Sequence, residues 1–368
     1  MSRKDLAGLI GASVVAIITL VVVAVMAMSG EPPPTPPADQ DTGLISEEVS
    51  WAIGETTVNA TITRPDGEGP YPAVVFIART GATDRNWNAP YLPGSNGSGR
   101  LLAAELARHD FVTIRHDWRY AGPGAAANLP HLAGNISLAG HADEIAGAIE
   151  TLLTQDYVDP GRIYLLSHGE GALPALNYTV DYGENISGLV VTEPPPRPLT
   201  ELFMEQVRAQ FRDAPGGDEI IAGCEALIAD FLAGEPFVAH PDLPAELNNY
   251  IGNLHDPRSL PFMREVLPLD AAELLAQTTV STLVVIGKKD IQINWETDGA
   301  LLQAATAGLD HITYQFPENA DHVLKYQPKP REELTSADAL QYNAAGRTLD
   351  SGAVQVILDW LMQESRSG

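Results

Sequence analysis

The chain has 368 residues, 45% of them hydrophobic, which suits one large globular domain with appendages and excludes a disordered or fibrous protein. Its 22 Lys and Arg residues stand against 48 Asp and Glu residues, so it lacks the basic surface that nucleic-acid binding requires. The single cysteine, Cys224, excludes an intramolecular disulfide and a zinc-type cysteine cluster.

The N-terminal segment has the composition of a membrane anchor. Residues 6–28 are apolar apart from Gly, Ser and Thr, and at about 1.5 Å per helical residue they exceed a hydrocarbon core of about 30 Å. Arg3 and Lys4 precede this run, which predicts a cytoplasmic tip over residues 1–5 and an extracytoplasmic main domain. A cleaved signal peptide ending near Val25 and Ala27 is the alternative. Residues 29–43 are rich in Pro and predict an extended linker.

After the linker, β-rich segments alternate with amphipathic helical ones. The predicted strands cover residues 47–53, 57–63, 73–78, 112–116, 162–166, 188–192, 282–286 and 311–316. The predicted helices cover residues 101–108, 140–153, 171–180 and 352–362. Strands and helices in alternation predict a mostly parallel central sheet with helices on both faces.

The alternation stops between residues 193 and 279. Helical stretches such as 199–211 and 218–232 follow one another there, broken by Pro and Gly. An insertion of this size between two sheet strands predicts a helical cap over a core made of residues 44–192 and 280–364.

One strand–turn–helix stretch bears on chemistry, the segment that begins at Arg162 and reads R-I-Y-L-L-S-H-G-E-G-A-L. It has the form of a nucleophile elbow, G-x-S-x-G, whose central residue takes a strained backbone conformation between small neighbours. With Ser167, Gly169 and Gly171 on the three defined positions, glycine stands at the centre. The alternative register makes Ser167 the nucleophile, but then Leu165 occupies a position that should be small. We therefore expect the first register.

From residue 45 to residue 361 the chain resembles bacterial α/β-hydrolases related to carboxylesterases and to the serine aminopeptidase S33 group. Members typically read L-L-G-H-S-E-G-G at the elbow, where this chain reads L-L-S-H-G-E-G-A from Leu165. Further shared segments are T-D-R-N from Thr83, R-H-D-W-R from Arg115, P-P-R-P-L from Pro195, G-K-K-D-I-Q-I from Gly287 and N-A-D-H-V-L-K from Asn319. The resemblance implies an α/β-hydrolase fold.

The resemblance also implies a triad in the chain order nucleophile, acid, histidine, and its acid and histidine fall on Asp290 and His322. Asp290 would orient the imidazole and His322 would act as general base, but Gly169 offers no hydroxyl to activate. The implied oxyanion donors are the backbone N–H groups of Glu170 and of Arg79 or Thr80.

Position 79 departs from the relatives. They commonly carry Gly-Ser-Gly where this chain reads R-T-G from Arg79. We expect the Arg79 side chain either to bind a carboxylate or phosphate or to turn to solvent.

Three functions follow from these residues. The first is a catalytically impaired, membrane-anchored protein of carboxylic-ester-hydrolase lineage that keeps a pocket for a small ester or acyl ligand beneath its cap. The second is an active esterase or peptidase-like hydrolase that uses Ser167 with Asp290 and His322. The third is a non-catalytic module that contacts a partner protein. No cofactor is implied, and no H-E-x-x-H or comparable spacing predicts a metal site.

Overall fold

A computed structural model describes residues 43–89 and 92–367. The predicted cytoplasmic tip at 1–5, the predicted membrane helix at 6–28 and the predicted linker up to residue 42 lie outside the described residues. Within the described ranges, no helix is both long and apolar enough to span a bilayer.

The described strands form one eight-stranded sheet in the order β1-β2-β4-β3-β5-β6-β7-β8. The bounds are β1 Leu44–Ile53, β2 Thr56–Pro65, β3 Tyr71–Ile77, β4 Val112–His116, β5 Val158–His168, β6 Gly188–Thr192, β7 Thr282–Val285 and β8 Ile312–Gln315. Strand β2 runs antiparallel to β1 and β4, and every other neighbouring pair is parallel. The predicted mostly parallel sheet is confirmed.

The helices lie on both faces of this sheet. Their bounds are α1 Ser98–Arg108, α2 Ala125–Leu132, α3 Leu138–Leu153, α4 Ala172–Tyr182, α5 Leu199–Phe211, α6 Gly217–Ala233, α7 Ala245–Leu254, α8 Leu260–Val266, α9 Ala271–Gln277, α10 Thr297–Ala305, α11 Ser336–Ala339 and α12 Ser351–Ser367. Helices α5 to α9 form the insertion between β6 and β7.

The alternation of side chains along β3 divides the core into two layers. Val75 and Ile77 pack with residues of α3 and α4 on one face, whereas Val74 and Phe76 pack with residues of α1 and α12 on the other. Successive side chains of a strand point to opposite faces, so a central strand covered by helices on both sides must be apolar throughout. All residues of β3 after Tyr71 are accordingly buried.

The parallel strands bring their carboxyl ends to one edge of the sheet. The loops after β3, β5, β6, β7 and β8 therefore meet there, and they carry the residues singled out in the sequence. In open α/β sheets, ligands bind at this edge.

Candidate active site

Gly169 lies at the sharp turn between β5 and α4. It begins a short 3₁₀ turn, Gly169–Gly171, and its φ of 56° is in the left-handed region. Glycine adopts this conformation without the steric cost that a Cβ brings. The turn thus has the backbone form of a nucleophile elbow, with a hydrogen atom where a nucleophile's side chain would begin.

The Arg79 side chain lies over Gly169. A Cβ built on residue 169 would be 3.0 Å from Arg79 Cγ and 3.1 Å from Arg79 Cδ, closer than packed carbon atoms approach. Arg79 is buried, and its carbonyl oxygen accepts a 3.0 Å hydrogen bond from Trp118 Nε1, which fixes the loop after β3. The expectation that Arg79 turns to solvent is wrong. A long, flexible side chain fits here because residue 169 has no side chain of its own.

Asp290 and His322 are in direct contact. His322 Nδ1 is 2.8 Å from Asp290 Oδ2, and both side chains are buried. Asp290 Oδ1 accepts hydrogen bonds from the backbone N–H groups of Gln292 and Ile293, at 2.6 and 3.1 Å. With its Nδ1 proton directed at the carboxylate, a neutral His322 presents Nε2 as a base. The pair thus has the geometry of a triad's acid and histidine.

The protonation of Asp290 follows from its surroundings. Burial alone raises the pKa of this carboxyl, but His322 and hydrogen bonds from Glu193 and Gln292 outweigh burial and hold it below the ordinary value. Asp290 is therefore ionised at neutral pH.

Ser167 points away from this pair. It lies within β5, is fully buried, and its hydroxyl donates to the carbonyl oxygen of Val190 on β6 at 3.4 Å. Thr192 Oγ1 in turn donates to the Ser167 carbonyl oxygen at 2.9 Å. The hydroxyl is thus directed into the sheet, and using Ser167 as a nucleophile would require β5 to be rebuilt.

The residues that were expected to supply oxyanion donors do meet at the turn. Thr80 Oγ1 donates to Glu170 Oε2 at 3.2 Å, so the loop after β3 touches the residue that follows Gly169. Burial raises the pKa of Glu170, while Arg79, Thr80 and His322 partly offset that effect. Arg79, Thr80 and Glu170 therefore surround the turn on the side of His322.

Two of the motifs that carry the resemblance brace the loops around the turn. Arg85 makes hydrogen bonds of 2.9 and 2.7 Å to Asp117 Oδ2 through Nε and Nη2, and its backbone N–H donates to Asp117 Oδ1 at 2.8 Å. Asp84 Oδ1 accepts from the backbone N–H groups of Asn86 and Asn88, both at 2.9 Å. Buried two-pronged ion pairs of this kind fix geometry. The motifs therefore stabilise the loops that carry the site.

The histidine loop is held by a similar network. Asp321 Oδ1 accepts from the backbone N–H groups of Val323 and Lys325, at 3.1 and 2.9 Å, and Arg347 pairs with its other oxygen at 2.7 Å. The buried Lys325 ammonium donates to the carbonyl oxygen of Tyr342 at 2.6 Å, and burial lowers its pKa to about 8. These contacts fix the backbone on both sides of His322.

A second carboxyl group, which the sequence analysis missed, lies behind Asp290. Glu193 directly follows β6, is fully buried and has a φ of 51°. One oxygen or nitrogen atom from each of Glu193, Asp290 and His322 lies within 4.8 Å of the other two. The sequence feature that could have identified Glu193 is its position directly after a predicted parallel strand, at the carboxyl end where site residues lie.

A pocket opens beside the turn, away from the insertion. Arg79, Trp87, His168 and Tyr342 line it together with apolar side chains such as Leu92 and Val323. Its lining residues come from the loops after β3, β7 and β8, from the last residue of β5, and from α11 and the loop that follows it, and none comes from helices α5 to α9. This pocket is therefore not the one that was expected beneath the cap.

Four aromatic residues, Tyr178, Phe203, Trp295 and Tyr326, do not gather into one pocket. Tyr178 packs in the core, Phe203 stacks on Tyr250 with ring centres 4.9 Å apart, and Trp295 packs on Phe316. Tyr326 is exposed. Each has a packing role or faces solvent.

His168 contributes an acceptor to the pocket. Thr192 Oγ1 uses its proton on the Ser167 carbonyl, so the 3.1 Å contact between His168 Nδ1 and Thr192 Oγ1 must be donated by the imidazole. His168 Nε2 is then unprotonated, and among the described residues neither it nor Trp87 Nε1 nor Thr83 Oγ1 has a hydrogen-bond partner. Burial, reinforced by His322 and Arg79, holds the pKa of His168 well below its ordinary value. These three buried polar atoms, an acceptor on His168 and donors on Trp87 and Thr83, thus belong to residues that line the pocket.

No protein-family model matches this chain. Among curated proteins, it is similar to esterase EstD of Thermotoga maritima, with 22% identity over 281 residues that cover 75% of this chain. The match spans 60% of that relative's length.

Two solved structures of similar fold have TM-scores of 0.50. One is Est1E from Butyrivibrio proteoclasticus with ferulic acid bound, 13% identical, where the match covers 86% of this chain and 99% of that one. The other is proline iminopeptidase from Mycobacterium smegmatis, 14% identical, with 87% and 99% covered.

Proposed function

We propose that this chain is an ester-hydrolase homologue impaired in catalysis that binds a small ester or acyl ligand, because it is similar to esterase EstD and shares the α/β-hydrolase fold of Est1E. One observation supports impairment above all others: the elbow centre is Gly169, and Arg79 fills the volume above it. Covalent acyl transfer needs a hydroxyl or thiol within reach of the base, and position 169 supplies neither.

The ligand part of the proposal rests on the pocket beside the turn. Apolar side chains line most of it, and the polar atoms of Thr83, Trp87 and His168 are buried without a partner among the described residues. Unpartnered buried polar atoms cost free energy, on the order of 1–3 kcal/mol each, and a bound ligand or water would recover it. This favours a binding role over a purely structural interaction module.

The test of impairment uses four proteins: wild type, Gly169→Ser, Arg79→Ala and the double variant. Each is treated with a fluorophosphonate probe and assayed with short-chain p-nitrophenyl esters. We expect labelling and ester turnover only in the two proteins that carry Gly169→Ser, and more of both in the double variant, because a serine at 169 needs the space that Arg79 occupies. Loss of the nucleophile from a working serine triad costs on the order of 10⁶-fold in kcat, so restored turnover should be readily measurable.

Two further variants of the double mutant assign the activity. His322→Ala should abolish it, and Ser167→Ala should leave it unchanged because that hydroxyl is bonded within the sheet. Probe labelling of the wild-type protein at Ser167 would instead establish the active-hydrolase alternative.

We also propose that the chain is anchored by residues 6–28 with the main domain outside the cytoplasm. The support is the length and composition of that run and the basic residues Arg3 and Lys4 before it. The full-length protein should stay with membranes at alkaline pH and be released by detergent. Protease added to intact cells stripped of any outer wall should digest the main domain. Recovery of the untreated full-length protein in the soluble fraction after cell lysis would contradict the anchor.

A further inference from the structure

Glu193 is anchored at the end of β6 by hydrogen bonds to the next strand and the loop after it. Its backbone N–H donates to the carbonyl oxygen of Val285 at 2.9 Å. Its side-chain Oε1 accepts from the backbone N–H of Gly287 at 2.7 Å. Gly287 can come this close because it has no side chain, whose first carbon would overlap the Ala320 carbonyl. The carboxyl group is therefore held in one orientation.

That orientation places the Glu193 carboxyl group beside a second buried carboxyl group, that of Asp290. One carboxyl oxygen of Glu193 and one of Asp290 lie within 4.8 Å of each other. Among the described residues, Glu193 Oε2 has no N–H or O–H donor directed at it. Two carboxylate oxygens only accept hydrogen bonds, so two that meet in a buried site need a proton or a cation between them.

The hydrogen bonds of Asp290 decide which carboxyl carries that proton. Asp290 Oδ1 accepts from the N–H groups of Gln292 and Ile293, and Oδ2 accepts from His322. If Asp290 were protonated, its O–H would point at an N–H group that itself donates a hydrogen bond, which is unfavourable. Glu193 has no donor on Oε2, so the proton belongs there.

A cation is the less favourable occupant of the same space. The N–H dipoles of Gly287, Gln292 and Ile293 and the Nδ1 proton of His322 all point at these two carboxyl groups. They already supply the positive charge density that a metal ion would bring, and they would repel one.

We propose that Glu193 is a neutral carboxylic acid in the folded protein, that its O–H donates to Asp290, and that it acts as a positioning residue for the Asp290–His322 pair. The donated hydrogen bond holds Asp290 against the imidazole and leaves a single negative charge beside it. This inference does not depend on whether residue 169 can act as a nucleophile, because it concerns only the carboxyl groups of Glu193 and Asp290.

The charged groups around Glu193 support its neutrality. Burial and the neighbouring Asp290 raise the pKa of Glu193 well above its ordinary value, Asp321 raises it further, and the Gly287 N–H only partly offsets them. Burial and the carboxyl groups of Asp290, Asp321 and Glu193 likewise raise the pKa of Tyr342 well above its usual range, so that phenol is neutral. From the segment after β8, His322 Nδ1 contacts Asp290 Oδ2, and the Arg331 guanidinium donates to the Asp290 carbonyl oxygen at 2.9 Å.

The test is the infrared C=O band of a protonated carboxylic acid, measured on the full-length protein at pH 7. The difference spectrum between wild type and Glu193→Gln should contain one such band that shifts on exchange into D₂O. Glu144→Gln is the matched control: that buried carboxyl has its pKa raised to about 7 by burial, so its band should disappear as pH rises through 7. The Glu193 band should persist above that pH.

A second variant keeps the test informative if Glu193→Gln does not fold. In Asp290→Asn the new amide can donate to Glu193, so Glu193 should ionise and its band should be lost at pH 7. Absence of the band from the wild-type protein would overturn the proposal. So would one equivalent of a divalent metal in purified wild-type protein that Glu193→Gln lacks, since the cation would then take the place of the proton.

Discussion

Gly171 and Ala78 touch backbone to backbone: a Cβ built on Gly171 would overlap the Ala78 carbonyl oxygen and lie 3.0 Å from that of Ile77. The start of α4 is thereby pressed against the end of β3. This contact sets the height of the turn at Gly169 relative to the loop that carries Arg79. The positions of the site residues therefore depend on this packing contact as well as on the polar contacts around them.

Gly171→Ala should destabilise the fold by about 3 kcal/mol, because overpacking against fixed backbone forces a main-chain shift. Urea unfolding followed by circular dichroism measures the loss. Gly161→Ala is the control, since the nearest atom to its new Cβ would be an Asp159 oxygen at 3.4 Å. Equal stabilities for the two variants would show that the contact between β3 and α4 yields easily.

Arg79 and Gly169 should be energetically coupled. Gly169→Ser alone should cost about 1–2 kcal/mol for a Cβ in the left-handed region, and more for displacing Arg79. Removing Arg79 first relieves the second cost. A double-mutant cycle with Arg79→Ala should give a coupling free energy on the order of 1 kcal/mol in favour of the double variant. Simple additivity would mean that Arg79 moves aside freely.

His116→Phe should make the protein more resistant to acid. His116 is buried in β4, neither ring nitrogen has a hydrogen-bond partner among the described residues, and burial, with His141 and Arg85 nearby, lowers its pKa to about 3. The unfolded chain binds a proton below about pH 6.5 that the folded one refuses, so stability falls as pH falls from 6.5 towards 3.

The measurement is the free energy of unfolding of both proteins at pH 7 and pH 5. The variant should gain roughly 2 kcal/mol over wild type between these two values, at about 1.4 kcal/mol per pH unit. Wild type and variant losing stability in parallel would count against a neutral, buried His116.

Glu193→Gln should change how the free energy of unfolding depends on pH above pH 4.5, whereas His116→Phe changes it below pH 6.5. The folded protein keeps the Glu193 proton above the ordinary pKa of 4.5, where the unfolded chain releases it, so wild-type stability falls as pH rises from 4.5. Glutamine has no proton to lose. The stability of the variant relative to wild type should therefore rise with pH, by at most about 1.4 kcal/mol per unit. Thermal unfolding at pH 5 and pH 8 checks this, and a constant difference would contradict it.

The sequence predicted most of the architecture because strand and helix periods differ. Each predicted strand overlaps an observed one, and the insertion helix predicted at 199–211 is α5 as observed. Helices α2 and α10 were missed for local reasons. Pro130 lies inside α2, and Gly299 lies inside α10, where a side chain would press on Phe316. Glycine and proline lower helix propensity, and tertiary packing overrides it here.

The site was only partly visible in the sequence. The family resemblance implied that Asp290 and His322 pair, and they meet because loops at the carboxyl edge of a parallel sheet converge. The path of Arg79 was not predictable, because a side chain's direction depends on the space left by residue 169. Glu193 was missed because its role depends on a neighbour that is 97 positions later in the chain, and no local pattern encodes that contact.

Glu193 is also the first residue of the insertion between β6 and β7, and its two bonds to Val285 and Gly287 tie that end to the strand to which the insertion returns. The two roots of the insertion are therefore fixed at opposite ends of the paired strands β6 and β7. It cannot swing open as a rigid flap about either root. Any widening above the sheet edge must therefore come from bending within the insertion. Its longest stretch without a helix is residues 234–244, between α6 and α7.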